Sequence, residues 1–232
     1  MNEYQITRIA PGFTAVDEGG VRWFLLEGEK DAILVDSGFG HIDMKACLAE
    51  LTDKPVSGVV LTHADPDHTG GCAAFGEIWM HPSEYDRFCA SNKDCGEKIR
   101  PLWEGGEIRI GDYAFTVVLI PGHTPGSIAL LEKNRRFLLG GDSVQNSAIF
   151  MFGPGRSMEA FVRSMEKLEA VSGEFDVVYA SHGDLTVKPD LLPALRQGAA
   201  DVLSGKIEGQ DSGKPFPCKL FECGRVRFLY TR

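Results

Sequence analysis

Residues 61–71 read LTHADPDHTGG, a stretch that places two histidines and two aspartates within six positions. It overlaps the end of the apolar run VSGVVLTH (56–63), which predicts a buried strand. Imidazole and carboxylate groups bind divalent metal ions, and the pair Gly70–Gly71 lets the backbone pass close to such ions without a side-chain clash. We therefore expect a metal site at the C-terminal end of this strand.

Three further polar clusters follow apolar, strand-like runs. PGHTPGS follows VVLI, GGDS follows FLL and SHGD follows VVYA, and these clusters contain His123, Asp142 and His182. A rigid sheet can present side chains that directly follow its strands into one cleft. Each cluster alone is typical of an ordinary turn. Their occurrence together with residues 63–68 favours a metal-binding cleft.

The order of the predicted elements indicates an α/β protein. Short runs rich in β-branched and aromatic residues fill the first third of the chain, and later strands alternate with helices. Helices are predicted at 41–53, 157–171 and 190–207, and a hairpin at 219–232. Two sheets packed on each other with helices outside fit this order, although periodicity does not separate that arrangement from a doubly wound sheet. No linker or repeat interrupts residues 1–232, so we expect a single domain.

Charge and composition exclude several classes of protein. The net charge is −9, and nucleic-acid binding needs clustered basic residues, so we expect no nucleic-acid partner. No apolar run approaches the ~20 residues that a membrane helix requires. No signal peptide is visible at the N-terminus. We therefore expect a cytoplasmic protein that acts on a small-molecule substrate and has no membrane partner.

The cysteines form neither a CxxC pair nor a zinc-finger spacing. In a cytoplasmic chain we expect them to be reduced, mostly buried thiols without a chemical role. The six positions are Cys47, Cys72, Cys89, Cys95, Cys218 and Cys223.

The ordered motifs THxxxDHTGG, PGHTPGS, GGDS and SHGD resemble those of the metallo-β-lactamase fold superfamily, in particular its glyoxalase II-like and lactonase-like hydrolases. The pattern extends from Asp36 in LVDSG to His182. The resemblance implies an α/β fold, a four-layer αββα sandwich of two mixed β-sheets with helices outside. It also implies a dinuclear metal centre at one edge of the sheets.

The same resemblance implies a role for each polar residue of the motifs. Six residues are the implied ligands of two divalent metal ions: His63 and His123 on the first ion, Asp67, His68 and His182 on the second, and Asp142 between them. Asp36 matches a position that supports the ligands from outside the coordination sphere. Two ions that share a solvent molecule turn it into hydroxide, and their charge stabilises an oxyanion.

Position 65 departs from the family pattern His-x-His-x-Asp-His, because Asp65 stands where the second histidine is expected. Aspartate is a shorter, harder and anionic ligand. We expect Asp65 to bind the first metal ion and to shift the preference of the site from Zn²⁺ towards iron or manganese. The alternative is that Asp65 lies outside the coordination sphere and that the first site is weak or empty.

The resemblance implies a metal-dependent hydrolase of an ester, thioester, lactone or phosphoester. In that mechanism a metal-bridging hydroxide attacks the substrate, and Asp67 orients it and passes a proton to the leaving group. Two alternatives stay open. The flavodiiron oxygen and nitric oxide reductases are similar to this pattern with a carboxylate at the second position, which favours a stand-alone di-iron redox module. A non-catalytic binding protein of the same superfamily is the other alternative.

Two segments are expected to rim the cleft, a loop at 92–106 and the stretch QNSAIFMFGPGRS at 145–157. The apolar run 149–152 has three interpretations: a pocket for an acyl or aromatic group, a contact in a homodimer, or ordinary core packing. Arg156 is a candidate for binding a substrate anion.

Overall fold

The computed structural model describes residues 4–231, and the chain divides into two compact units. The first unit ends at Val117 and the second begins at Val118. Each unit has its own cluster of buried apolar side chains. The expectation of a single domain over 1–232 stays a prediction.

The first unit is built on a mixed seven-stranded sheet whose strand order follows the chain. Its strands are β1 (Gln5–Ala10), β2 (Phe13–Glu18), β3 (Val21–Glu27), β4 (Ala32–Val35), β5 (Val56–Val60), β6 (Ile78–Met80) and β7 (Ile99–Pro101). The strands β1 to β4 pair antiparallel, whereas β5, β6 and β7 each run parallel to the strand before. An antiparallel hairpin follows, formed by β8 (Glu107–Ile110) and β9 (Tyr113–Leu119). The predicted β-rich opening of the chain is confirmed.

The described residues of the first unit form three short α-helices: α1 (Met44–Leu51), α2 (Pro66–Thr69) and α3 (Tyr85–Ser91). Asp43 caps α1, because its carboxylate accepts hydrogen bonds from the backbone N–H groups of Lys45 and Ala46. The buried side chains of α1 join the apolar core of the unit. The helix predicted at 41–53 is therefore confirmed, with a shorter extent.

The parallel pairing of β4 and β5 brings two polar segments to the same edge of the sheet. Val35 lies opposite Val60, and the backbone N–H of Asp36 donates to the carbonyl of Val60 at 2.8 Å. The carboxyl ends of parallel strands meet at one edge, which is where α/β sheets place ligands. Residues 36–38 and 61–71 therefore emerge side by side.

The second unit contains two groups of strands. In the first group β10 (Ile128–Glu132), β11 (Phe137–Leu139), β13 (Val177–Tyr179) and β14 (Thr186–Val187) pair in that order, with β11 and β13 parallel. The second group is a four-stranded sheet in the order β12-β17-β16-β15, made of β12 (Ala148–Met151), β15 (Gln210–Asp211), β16 (Lys219–Cys223) and β17 (Val226–Tyr230). The hairpin predicted at 219–232 is β16 and β17, with Glu222 opposite Arg227.

Two helices pack in the core of the second unit, α4 (Met158–Ala170) and α5 (Leu191–Ser204). The Ser157 hydroxyl caps α4 by accepting from the backbone N–H of Ala160 at 3.2 Å. Gly205 ends α5 with a left-handed φ of 69°. Both helices confirm the predicted segments. None of the helices between residues 4 and 231 is long and apolar enough to cross a membrane.

The loop predicted at 92–106 was wrong in part. This segment contains a short 3-10 helix, Lys93–Lys98, and then β7, which pairs with β6 so that Trp79 lies opposite Arg100. The strand is only three residues long and mostly solvent-exposed at the edge of the sheet. Such a strand needs no apolar alternation, so its sequence carries no signal with a period of two.

The cysteines are thiols rather than disulfides, as expected, and four of the six are buried. Cys72 lies 3.3 Å from the Ser37 hydroxyl, and burial raises the pKa of its thiol to about 12. Cys223 is the exposed member, at the C-terminal end of β16 opposite Val226.

We expect iodoacetamide to alkylate Cys223 of the native protein at pH 8 while leaving Cys72 unmodified. The thiolate is the reactive form, and a pKa of about 12 leaves only about one thiol in 10⁴ ionised at that pH. Peptide mass spectrometry after a timed reaction measures both sites, with denatured protein as the control in which both react. Rapid alkylation of Cys72 in the folded protein would contradict the burial.

Candidate metal centre

The first ligand set is organised by Asp36, which follows β4 and is fully buried. Asp36 has a left-handed φ of 61°, a backbone conformation that aspartate tolerates better than most residues. Its Oδ1 accepts from the backbone N–H of Thr62, and its Oδ2 accepts from the Thr62 hydroxyl, both at 2.8 Å. Asp36 Oδ2 also lies 2.8 Å from His68 Nδ1. This carboxylate therefore ties the end of β4 to the segment that follows β5.

These contacts set the tautomers of two histidines. An ionised carboxylate only accepts hydrogen bonds, so His68 Nδ1 carries a proton, which in the neutral ring leaves the lone pair on Nε2. The Thr62 hydroxyl gives its proton to Asp36, so it accepts from His63 Nδ1, which lies 3.0 Å away. His63 therefore also presents the lone pair on Nε2. Neutral imidazole in this form is the ligand that a divalent ion binds.

The spacing of the donor atoms in the first unit fits metal coordination. His63 Nε2 lies 3.7 Å from Asp65 Oδ2, and His68 Nε2 lies 3.8 Å from Asp67 Oδ2. Two donors bound at roughly 2.0–2.2 Å to one ion are separated by about 3–4 Å. The His63 and His68 rings have centroids 4.1 Å apart. Nitrogen and oxygen donors at these distances suit zinc, iron or manganese.

Asp65 divides its two oxygens between two partners. Its Oδ1 accepts from the Arg87 guanidinium at 3.1 Å, while its Oδ2 is the oxygen near His63. The Asp65 side chain is only 10% exposed. No sequence pattern predicts this ion pair, because Arg87 lies 22 positions further along the chain on α3.

The second ligand set lies in the second unit and, like the first, includes polar residues that follow two parallel strands. Asp142 follows β11 and His182 follows β13, and the parallel pairing of these strands, Leu139 opposite Tyr179, brings both residues to one edge. Asp142 Oδ2 lies 3.4 Å from His182 Nε2 and 3.6 Å from His123 Nε2. These separations also fit donors around a shared ion.

His123 is held by backbone groups. Its Nδ1 lies 2.9 Å from the carbonyl oxygen of Phe150 and donates to it, which leaves the lone pair on Nε2. Arg156 donates to the carbonyl oxygen of His123 itself. The Arg156 guanidinium, our candidate for binding a substrate anion, therefore has a structural contact with the backbone of the predicted metal ligand His123.

Glycine is needed at positions 70 and 71 for a different reason from the one expected. A Cβ on Gly70 would lie 2.0 Å from the carbonyl oxygen of Phe39, and the Gly70 N–H donates to the Gly38 carbonyl at 2.9 Å. The missing side chain thus lets the backbone of 70–71 pack on that of 37–40. Close approach to metal ions, our sequence-based reason, is not what these contacts require.

The structure thus gathers the predicted residues into two sets. Within the first unit it brings together Asp36, His63, Asp65, Asp67 and His68, and within the second His123, Asp142 and His182. The assignment of both sets to one pair of ions, with Asp142 between them, stays a prediction. Sequence reasoning missed Thr62, Arg87 and the Phe150 carbonyl, which act through hydrogen bonds rather than through a motif.

The strands of this α/β protein are followed by His and Asp side chains that can bind divalent metal ions. The sequence matches the metallo-beta-lactamase superfamily over residues 16–182, and the chain belongs to that superfamily. The fold is that of a solved metallo-beta-lactamase from Pontibacter korlensis, with a TM-score of 0.71 at 18% identity over 85% of this chain and 99% of that one. The expected α/β fold with mixed sheets and outer helices is therefore confirmed.

The relatives of this chain include proteins whose names describe an activity. The acyl-coenzyme A thioesterase MBLAC2 of Gallus gallus is 27% identical over 62% of this chain and 65% of its own length. A hydroxyacylglutathione hydrolase of Xanthomonas euvesicatoria pv. vesicatoria is 28% identical over 66% of this chain and 56% of its own length. The chain thus matches slightly less than two thirds of the thioesterase and just over half of the glutathione hydrolase.

Proposed function

We propose that this chain is a metal-dependent hydrolase of acyl thioesters. The observation that carries the proposal is the preset form of three imidazoles. His63, His68 and His123 each have Nδ1 engaged by an oxygen, so that each turns Nε2 towards a carboxylate oxygen 3.6–3.8 Å away. Imidazoles whose Nδ1 is held by an oxygen and whose Nε2 faces a carboxylate are the arrangement that protein metal sites use.

When bound, divalent ions supply Lewis acidity, since they acidify water and stabilise negative charge on a substrate oxygen. Zinc, iron and manganese all fit the donor set. Each ligand set offers imidazole and carboxylate donors for such an ion.

The chain's own residues have distinct tasks in this scheme. The Asp67 side chain is 24% exposed, whereas His68 beside it is fully buried. Asp67 can therefore meet both solvent and substrate, and we assign to it the orientation of the attacking water and the transfer of a proton to the leaving thiolate. Asp36 and Thr62 are buried and orient the imidazoles of His63 and His68, and we assign them no contact with the substrate.

The thioester class is supported by the relatives and by the surface beside His123. One named relative is an acyl-coenzyme A thioesterase and the other is a hydroxyacylglutathione hydrolase. In the second unit Phe150, Phe152 and Phe216 form an aromatic row with ring centroids 5.4 and 5.0 Å apart. Phe150 is 41% exposed, and its carbonyl is the group that holds His123. An apolar acyl group is the substrate part that such a surface favours.

A substrate panel on metal-reconstituted protein tests the proposal. We expect acyl thioesters to be hydrolysed at least about tenfold faster than matched oxygen esters, lactones and phosphodiesters, measured as kcat/KM with the acyl group held constant. Zinc-, manganese- and iron-loaded samples are compared, with chelated protein as the control. Turnover of phosphodiesters alone would contradict the thioester class. Oxygen consumption with a reductant by the iron form, without hydrolysis, would favour the redox alternative instead.

A further inference from the structure

One helical segment, here called the bracing segment, runs beside the metal-binding stretch of the first unit. It comprises the 3-10 helix Pro82–Glu84, α3 and the cap residue Asn92. Glu84, fully buried, accepts from the backbone N–H of Ala64 at 2.8 Å. One turn later Arg87 donates to Asp65, and at its end Asn92 Nδ2 donates to the Thr69 hydroxyl at 3.3 Å. The segment therefore contacts the stretch 63–69 at its start, its middle and its end.

The contact with Asp65 differs from the other two because it joins charged groups at the position that departs from the family pattern. Glu84 and Asn92 already tether the segment, so Arg87 is not needed for that purpose. An ion pair on the protein surface contributes little to stability. This pair instead has a carboxylate that is 10% exposed and a second oxygen 3.7 Å from His63 Nε2.

We propose that Arg87 is a positioning residue that makes Asp65 a working replacement for histidine in the first metal site. The guanidinium holds Oδ1, which orients Oδ2 towards His63 as the metal-binding oxygen. Its positive charge offsets that of the carboxylate, so the pair presents one donor with no net charge, as a neutral imidazole does. The inference rests on the metal centre of the proposed function.

This pairing refines the expected metal preference. From the sequence alone, the added negative charge of Asp65 predicts a shift towards iron or manganese. With Arg87 in place the harder oxygen donor remains, whereas the added charge is offset. The preference for the harder ions should therefore come from the donor type alone.

A double-mutant cycle on metal binding tests the role of Arg87. The variants are Arg87→Met, Asp65→His and the double variant, in which Asp65→His restores His-x-His-x-Asp-His. Metal equivalents per chain are measured against competing chelators of graded strength, with Zn²⁺ and with Mn²⁺. We expect Arg87→Met alone to weaken binding of the more weakly held ion by about 10–100-fold, the usual effect of losing a partner of a metal ligand. In the Asp65→His background we expect the same change to leave affinity unaltered or to raise it, because the guanidinium there only repels the ion.

The controls separate positioning from folding. Arg163→Met, on the exposed face of α4, makes the same chemical change in a helix and should leave affinity unchanged. Unfolding midpoints of the chelated proteins show whether each variant is folded. An equal loss in both backgrounds would show a purely structural role, and no loss with Asp65 present would remove the role altogether; either result overturns the proposal, as does failure to bind metal. A chain that binds metal with the expected coupling but hydrolyses nothing contradicts only the proposed function.

Discussion

We expect the His123→Ala variant to lose thioester hydrolysis by at least about 10²–10³-fold, the effect of removing one strong electrostatic group from a catalytic site. His123 Nε2 lies 3.6 Å from Asp142, so the change removes one donor of the second ligand set. Metal content should fall together with kcat/KM. The rise in the unfolding midpoint that metal produces in the parent protein should shrink as well, because a ligand stabilises the folded state only as far as it binds.

A second variant and a control make this result interpretable. His123→Ala also removes the hydrogen bond to the Phe150 carbonyl, at a cost of about 1 kcal/mol, so some loss of stability is expected. His182→Ala removes the other imidazole beside Asp142, and its side chain is 20% exposed, so folding should be little affected. His41→Ala, an exposed histidine outside both ligand sets, should retain activity. Full activity of both ligand variants would refute the metal mechanism.

The Asp36→Asn variant is expected to lose about 10–100-fold in affinity for the ion that His68 binds. The carboxylate accepts three hydrogen bonds, from the Thr62 N–H, the Thr62 hydroxyl and His68 Nδ1. Asparagine has a single acceptor oxygen. If that oxygen faces the Thr62 N–H, the amide donates to His68 and forces the proton onto Nε2, the atom that the metal needs. If the amide turns round, two donors face each other in a buried site, which costs about 1–3 kcal/mol.

Asp36→Asn adds no backbone strain, because asparagine also tolerates the left-handed φ of 61° at position 36. Asp43→Asn is the matched control, since asparagine caps a helix about as well as aspartate and position 43 is exposed. Chelator competition measures the affinity, and thermal unfolding of the chelated proteins measures the change in stability. Parent-like affinity in Asp36→Asn would mean that Asp36 does not set the tautomer of His68.

Much of the fold could be predicted because its elements carry local periodic signals. The stripe of apolar residues on α4 and the hairpin of β16 and β17 repeat at helical and strand spacings, and both were found where expected. The strand β7 was missed because three residues at a solvent-exposed edge form no pattern. Periodicity is an average over several residues, so it fails where an element is short or is specified by its neighbours.

The candidate site divides in the same way. The residues that follow strands, such as His63, His123 and Asp142, were predicted because each is close in sequence to an apolar strand. The strand and the ligand-type residue can therefore be recognised together. Arg87 was not predicted, because no local pattern links it to Asp65, 22 positions earlier; only the packing of α3 beside the stretch 63–69 makes them neighbours. The glycine pair was recognised correctly, but its partner, the backbone of 37–40, was not.

The sequence alone therefore determined the superfamily, the α/β class and the candidate ligand set, because those properties depend on the kind and order of residues along the chain. The tertiary structure decided which ring nitrogen of His63, His68 and His123 donates a hydrogen bond and how Asp65 turns its oxygens. Both depend on single hydrogen bonds from Thr62, Asp36, Arg87 and the Phe150 carbonyl. Asp65 is the one residue of LTHADPDHTGG that departs from the family pattern. In the folded protein its carboxylate is paired with the guanidinium of Arg87.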